Sequence, residues 1–155
     1  MSQAEVHAEL DPTRDDLRLG HLEERRLHSE LRASLSACDG RHLRKRLKPL
    51  LEEAGFEVLS ADGEPWMQDS MNPLEIEKET VQTIIDFVPT VAKDEADTIF
   101  LPGTAWRGLD AVEPLEQKLR KTVISVNQAT IWMALRRIGW TEPIQGFGSL
   151  LRNFG

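Results

Sequence analysis

Apolar and polar positions alternate in two rhythms along this chain, and the stretch from Ala96 to Gly139 shows both. A short apolar run, Thr98-Ile99-Phe100-Leu101, stops at Pro102-Gly103-Thr104. A helical segment from Asp110 to Arg120 follows, then a β-branched run, Thr122-Val123-Ile124-Ser125-Val126. That run ends at Asn127-Gln128. The next segment puts Ile131, Ala134, Leu135 and Ile138 on one helical face and ends at Gly139. Strand, loop, helix, strand, loop, helix implies parallel strands, because a parallel return needs a long connection and a helix supplies it. Ligands of such sheets sit beyond the carboxyl ends of the strands. Two loops occupy that rim, Pro102–Leu109 and Asn127–Ala129.

Upstream, Leu43, Leu47, Leu50, Leu51 and Ala54 form one apolar face, which predicts a helix over Arg41–Ala54 with Gly55 as its stop. Phe56–Leu59 reads as a strand, and Asp62-Gly63 and Pro65 as turn residues. Asn72-Pro73-Leu74-Glu75 has the pattern of a capped helix start, and Val81, Ile84, Ile85 and Val88 continue an apolar face. Pro89 should kink or end that helix. Asp110 with Glu113 reads as a capping box, although Pro114 prefers the first helical position. Trp132 reads as core packing. Trp140 to Gly155 reads as a packed, irregular extension.

Residues 1–40 are rich in Glu, Asp and Arg and have no aromatic residue. They read as a poorly ordered or marginally helical segment, with residues 41–155 as an α/β domain. The expected architecture is a three-layer α/β/α domain with a short parallel sheet of the Rossmann or flavodoxin type. Its strands are Phe56–Leu59, Thr98–Leu101 and Thr122–Val126, with a degraded fourth near Arg32–Ala37. So small a sheet should leave an edge or face that wants a partner.

Composition narrows the function. The chain has 155 residues and a net charge of −7. An acidic chain lacks the basic field of non-specific nucleic-acid binders, so the basic run Arg41 to Lys48 reads as a solvated helix face. No apolar run reaches the length of a membrane helix, and the first residues lack the pattern of a signal peptide. The single cysteine, Cys38, cannot form an internal disulfide, which fits a cytoplasmic protein. The histidines, His7, His21, His28 and His42, have no ligand spacing, so no metal is expected.

The candidate chemistry lies at the rim. Gly103 would let the backbone approach a ligand, and exposed N–H groups at a loop-to-helix junction bind anions. With the Thr104 hydroxyl this makes a carboxylate cradle; the plainer reading is a turn that needs glycine. Asn127 and Gln128 would line the cleft or cap the helix that starts there. Asn72 reads as a helix cap. Arg107 could hold a carboxylate or stay solvated.

The same residues carry a resemblance. Ala96-Asp97, Gly103-Thr104, Leu115-Glu116, Thr122-Val123, Ser125, Asn127-Gln128-Ala129, Trp132, Leu135-Arg136 and Gly139 follow one another as in the aspartate/glutamate racemase superfamily. The chain is similar to its maleate isomerase and arylmalonate decarboxylase branch. The resemblance covers about the last two thirds of the chain and fades before Gly55. It implies the C-terminal half of a cofactor-independent isomerase, racemase or decarboxylase for a small dicarboxylate or malonate-type acid. Such a half would work with a complementing half or as a homo-oligomer. Gly103, Thr104, Asn72 and Asn127 would bind the substrate. Family members that racemise or isomerise use two cysteines, and the second belongs just before Thr104, where this chain has Gly103. The half that would carry the first is absent, so the catalytic residues stay unassigned. Cys38, beside Asp39, has neither a basic nor a helix-N-terminal setting and reads as an incidental thiol. The alternative is a non-catalytic α/β domain that binds a small anion or a protein partner.

Overall fold

Four short extended runs build one sheet. The computed structural model describes residues 32–37, 41, 43–65 and 79–153. The strands are β1 (Arg32–Ala37), β2 (Glu57–Gly63), β3 (Thr98–Leu101) and β4 (Thr122–Ser125). They lie in the order β2-β1-β3-β4, and each neighbouring pair is parallel. The connections carry α1 (Lys48–Glu53, preceded by a π-helical turn, Leu43–Leu47), α2 (Val81–Val91) and α3 (Gly108–Leu119). After β4 come α4 (Val126–Arg137) and a short α5 (Ser149–Arg152). The parallel α/β fold predicted from the crossovers is the fold observed.

Side chains alternate across a strand, so register decides which residues share a face. Ser34 lies beside Ile99, and Ile99 beside Val123. On that face Ile99, Leu101 and Val123 pack with Ile84 and Val88 of α2 and with Trp106, Ala111, Val112 and Leu115. On the other, Leu35 and Val58 are buried, with Leu47, Leu51 and Phe100 packed against them. Burying a Val, Leu or Ile side chain contributes about 1.5–3 kcal/mol. The larger cluster, under α2 and α3, is therefore the main source of stability.

Several expectations change. Arg32–Ala37, expected as a degraded strand and also as part of a marginal helix, is a strand with a neighbour on each side. Residues 1–31 lie outside the described residues. β2 runs four residues past Leu59, because parallel pairing of Ser36 with Asp62 and Ala37 with Gly63 overrides the turn signal of Asp-Gly. Leu50 is 60% exposed, while Leu47 and Leu51 pack. The preceding π turn takes more residues per turn than an α-helix and offsets the stripe. Thr80 caps α2 through a reciprocal box with Thr83, and the helix continues past Pro89 to Val91. The Asp110–Glu113 box does not form: α3 begins at Gly108, Pro114 lies inside it, and Glu113 instead accepts from the Gly148 N–H at 2.8 Å.

The largest departure is α4. Its apolar stripe was expected in the core, yet Gln128 is its buried residue, and Ile131 and Ile138 are 40% and 77% exposed. Trp132 is half-buried, with the Arg136 guanidinium 5.2 Å from its ring centre. Among the described residues no helix is long and apolar enough to cross a membrane.

Candidate functional site

The chain steps from β1 to β2 on one side and returns past β1 to β3, so the strand order reverses between β1 and β3. A crevice opens at the carboxyl ends of strands flanking such a reversal. Four segments reach that rim here: Ser36-Ala37 from β1, Gly63-Glu64 from β2, Pro102-Gly103-Thr104 from β3 and Ser125-Val126-Asn127 from β4.

Two predicted site residues are brought together. The Asn127 Nδ2 donates to the Thr104 carbonyl at 3.0 Å, tying the loop after β3 to the start of α4. The cap of α4 is Ser125, two residues before the expected Asn127. Its Oγ accepts from the Gln128 N–H at 3.2 Å, and Gln128 Oε1 accepts from the Ser125 N–H at 3.3 Å. Strand β4 therefore ends at Ser125 rather than Val126. Buried Gln128 also donates to the Phe147 carbonyl at 2.6 Å, so it anchors the tail and does not line the rim. Arg107 pairs with Asp110 at 2.8 Å on the exposed outer side of the loop. Asn72 and Cys38 lie outside the described residues.

Gly103 is required by packing. Its φ is not in the left-handed region, but a Cβ there would lie 2.8 Å from the Trp106 Cβ. Trp106, on the same loop, is 1% exposed. Its Nε1–H donates to a Glu79 carboxylate oxygen in the interior. The loop that carries Gly103 and Thr104 is thus held from beneath by an indole locked to a buried acid.

That acid has a neighbour which pattern reading missed. Glu64, the residue after β2, is 5% exposed and Glu79 is 7% exposed. Burial, and secondarily the Glu79 charge, push the Glu64 carboxyl up to about 7. Its Oε1 finds no hydrogen-bond partner among the described residues, and neither does Ser36 Oγ on β1. Buried orphan polar atoms are rare and want an explanation such as a ligand. No periodicity marks Glu64 in the sequence; an acid directly after Asp-Gly reads as a solvated turn. Among the described residues no group of three or more His, Cys, Asp or Glu could hold a metal ion.

A shallow cavity of about 490 Å³ lies at the other end of β4, lined by Glu113, Glu116, Arg120, Lys121, Ser149 and Arg152 among others. Most of its charges are committed to structure. Glu116 accepts from the Val123 N–H at 3.1 Å and the Ser149 N–H at 2.8 Å, and Arg152 pairs with Glu113 at 2.9 Å. The carboxyl rim, with two orphan polar atoms and an acid of raised pKa, is the stronger candidate.

Comparison with known proteins finds relatives of this fold. A family model described as arylmalonate decarboxylase matches residues 23–151. No curated protein matches the chain. Unliganded arylmalonate decarboxylase is similar at 21% identity and a TM-score of 0.70, over 87% of this chain and 58% of that one. A Gly-to-Cys variant of arylmalonate decarboxylase in a sulfate-associated form gives 21% and 0.70, over 86% and 57%. A Cys-to-Ala variant of the maleate isomerase from Pseudomonas putida S16, solved with maleate, gives 20% and 0.66, over 86% and 52%. These likenesses show a common fold. The chain spans a little more than half the length of these structures.

Proposed function

The chain belongs to the arylmalonate decarboxylase family, and on that footing we propose that it binds a small dicarboxylate or malonate-type acid at the carboxyl rim of its sheet. The reaction class is cofactor-independent decarboxylation or isomerisation. The observation that carries this reading is the clamp of Asn127 on Thr104 at 3.0 Å, which sets the loop after β3 against the first turn of α4. Gly103 keeps backbone within reach of a carboxylate, and the exposed Thr104 offers a hydroxyl beside it. Asn72 belongs to the same proposed binding set.

Decarboxylation fits this chain better than two-thiol chemistry. Cys38 is its single cysteine. In decarboxylation the bond to one carboxylate breaks, CO₂ departs and the electron pair stays as an enediolate. That charge needs hydrogen-bond donors, and the carbon then needs one proton. A second reading, a non-catalytic domain that binds an anion and a partner protein, is favoured by the exposed Ile138 and Trp140 at the end of α4.

Titration of ¹⁵N-labelled protein with malonate, phenylmalonate and maleate tests the proposal. Amide shifts at Gly103, Thr104 and Asn127 are expected, with affinity at least ~10-fold weaker in Thr104→Ala, as loss of a hydrogen bond to a charged group implies. Binding without turnover of any acid selects the second reading. An absence of binding refutes the site.

A further inference from the structure

We propose that Glu64 is the proton donor of this site, delivering its carboxyl proton to the α-carbon of the bound acid, and that Glu79 is a positioning residue that adds to the effect of burial in keeping it protonated. The assignment rests on the functional reading above and supplies the acid that a chain with Gly103 in place of a cysteine lacks.

The argument starts from register. Ser36 pairs with Asp62, and Glu64 follows Asp62 by two residues. Alternation puts Ser36 and Glu64 toward the same side of the sheet. Ser34, two residues before Ser36, pairs with Ile99, which packs in the cluster that contains Trp106. Ser36 and Glu64 therefore project at the carboxyl end of the sheet, on the Trp106 side. A short chain of neighbours then leads to the rim. Glu79 acts on Glu64 through its charge and accepts from Trp106, and the Trp106 Cβ occupies the space beside Gly103. The site thus has two buried acids, one hydrogen-bonded to an indole and the other with an orphan oxygen, plus an orphan hydroxyl on the adjacent strand.

An acid held near neutrality donates a proton and is recharged from solvent at ordinary pH. Glu79, the charged group that acts on Glu64 among the described residues, raises the acid further by like-charge repulsion. The step balances. The carbon–carbon bond to the departing carboxylate breaks, its electron pair forms the enediolate, the Glu64 proton bonds to the α-carbon, and the Glu64 carboxylate regains a proton from water. A bound dicarboxylate adds negative charge nearby and holds Glu64 protonated until CO₂ leaves.

The test is turnover of malonate and phenylmalonate in heavy water, followed by NMR as deuterium entering the product, with Glu64→Gln, Glu64→Asp and Glu79→Gln. General-acid loss predicts a fall of about 100-fold or more in Glu64→Gln, with malonate affinity kept within about threefold. Glu64→Asp should retain part of the rate. The wild-type rate should fall as pH rises through the Glu64 titration, and Glu79→Gln should shift that limb to lower pH, which a purely structural role would not do. Full turnover in Glu64→Gln, or an unmoved limb in Glu79→Gln, overturns the assignment. Wild-type protein that binds malonate, loses it in Thr104→Ala, yet turns over no acid overturns the assignment and the reaction class and leaves the binding site standing, whereas full turnover in Glu64→Gln overturns the assignment alone. Protein that binds none of the acids overturns the functional reading and this assignment with it.

Discussion

Gly103→Ala is the sharpest probe of how the rim is built. An added Cβ falls 2.8 Å from the Trp106 Cβ, while the ring atoms Cγ and Cε3 stand at 3.7 and 3.8 Å. Carbon atoms pack best at about 3.5–4.0 Å, so the strain is concentrated in one contact. The Trp106 Cβ cannot swing away, because it is bonded to the backbone and its indole is buried and held by Glu79. Relief must come from the backbone of residues 104–106. Overpacking of this kind costs about 1–3 kcal/mol. For a chain of this size that is a melting point lower by roughly 3–10 °C. Trp106→Ala keeps the Cβ and should leave the cost in place; Trp106→Gly should remove it. Urea unfolding of Gly103→Ala in the three backgrounds closes the cycle, with sucrose added to keep the tryptophan variants folded. A cost below about 0.5 kcal/mol in the wild-type background, or the same cost in Trp106→Gly, refutes the packing account. Gly103→Cys carries the same Cβ, so restoring the thiol that the family resemblance places here should carry the same penalty.

Glu64 makes stability fall with rising pH. A carboxyl raised to about 7 folds best protonated, so its contribution is complete below its ordinary value near 4.5 and is lost as pH rises through about 7. The full shift is worth ~3 kcal/mol, and screening by solvent reduces it to ~1–2 kcal/mol. Glu64→Gln should flatten the stability difference between pH 5 and pH 8 in denaturant titrations; an unchanged slope counts against the buried acid. Gly148→Ala combines a φ of +82° with a Cβ placed into the Val112 Cγ1 methyl, and should cost about 2–4 kcal/mol. Proteolysis within residues 140–153 should accelerate with it, and an unchanged cleavage rate would count against tail docking through Gly148. Ser36→Ala removes an orphan hydroxyl and should be neutral or stabilising by about 1 kcal/mol in urea unfolding without added acid, whereas a loss above that would mean the hydroxyl has a partner.

The βα units on either side of Pro102-Gly103-Thr104 were legible because β3 and β4 are apolar or β-branched and their helices follow at crossover distance. β1 was harder. A strand with a neighbour on each side and helices on both faces usually reads as a hydrophobic run, yet Arg32–Ala37 is RASLSA. Small serines fit where helices pack closely, and Ser34 Oγ accepts from the Lys93 N–H at 3.2 Å. The stripe on α4 was legible but its burial was not, since periodicity states which residues share a face and not whether anything covers it.

Local pattern determined the class of fold, the parallel sense of the strands and the loop after β3, because each follows from spacing along the chain; the second expected loop, Asn127–Ala129, is the first turn of α4. Tertiary structure alone decided that Trp106 turns inward onto Glu79, that Gly103 has no room for a side chain, and that Glu64 loses its water. The first and last of those outcomes depend on contacts between residues 15 or more positions apart in the chain, Glu79 with Trp106 and Glu64 with Glu79, and the buried Trp106 in turn fills the space beside Gly103. A carboxyl group's environment, unlike its residue type, is set by what folds over it.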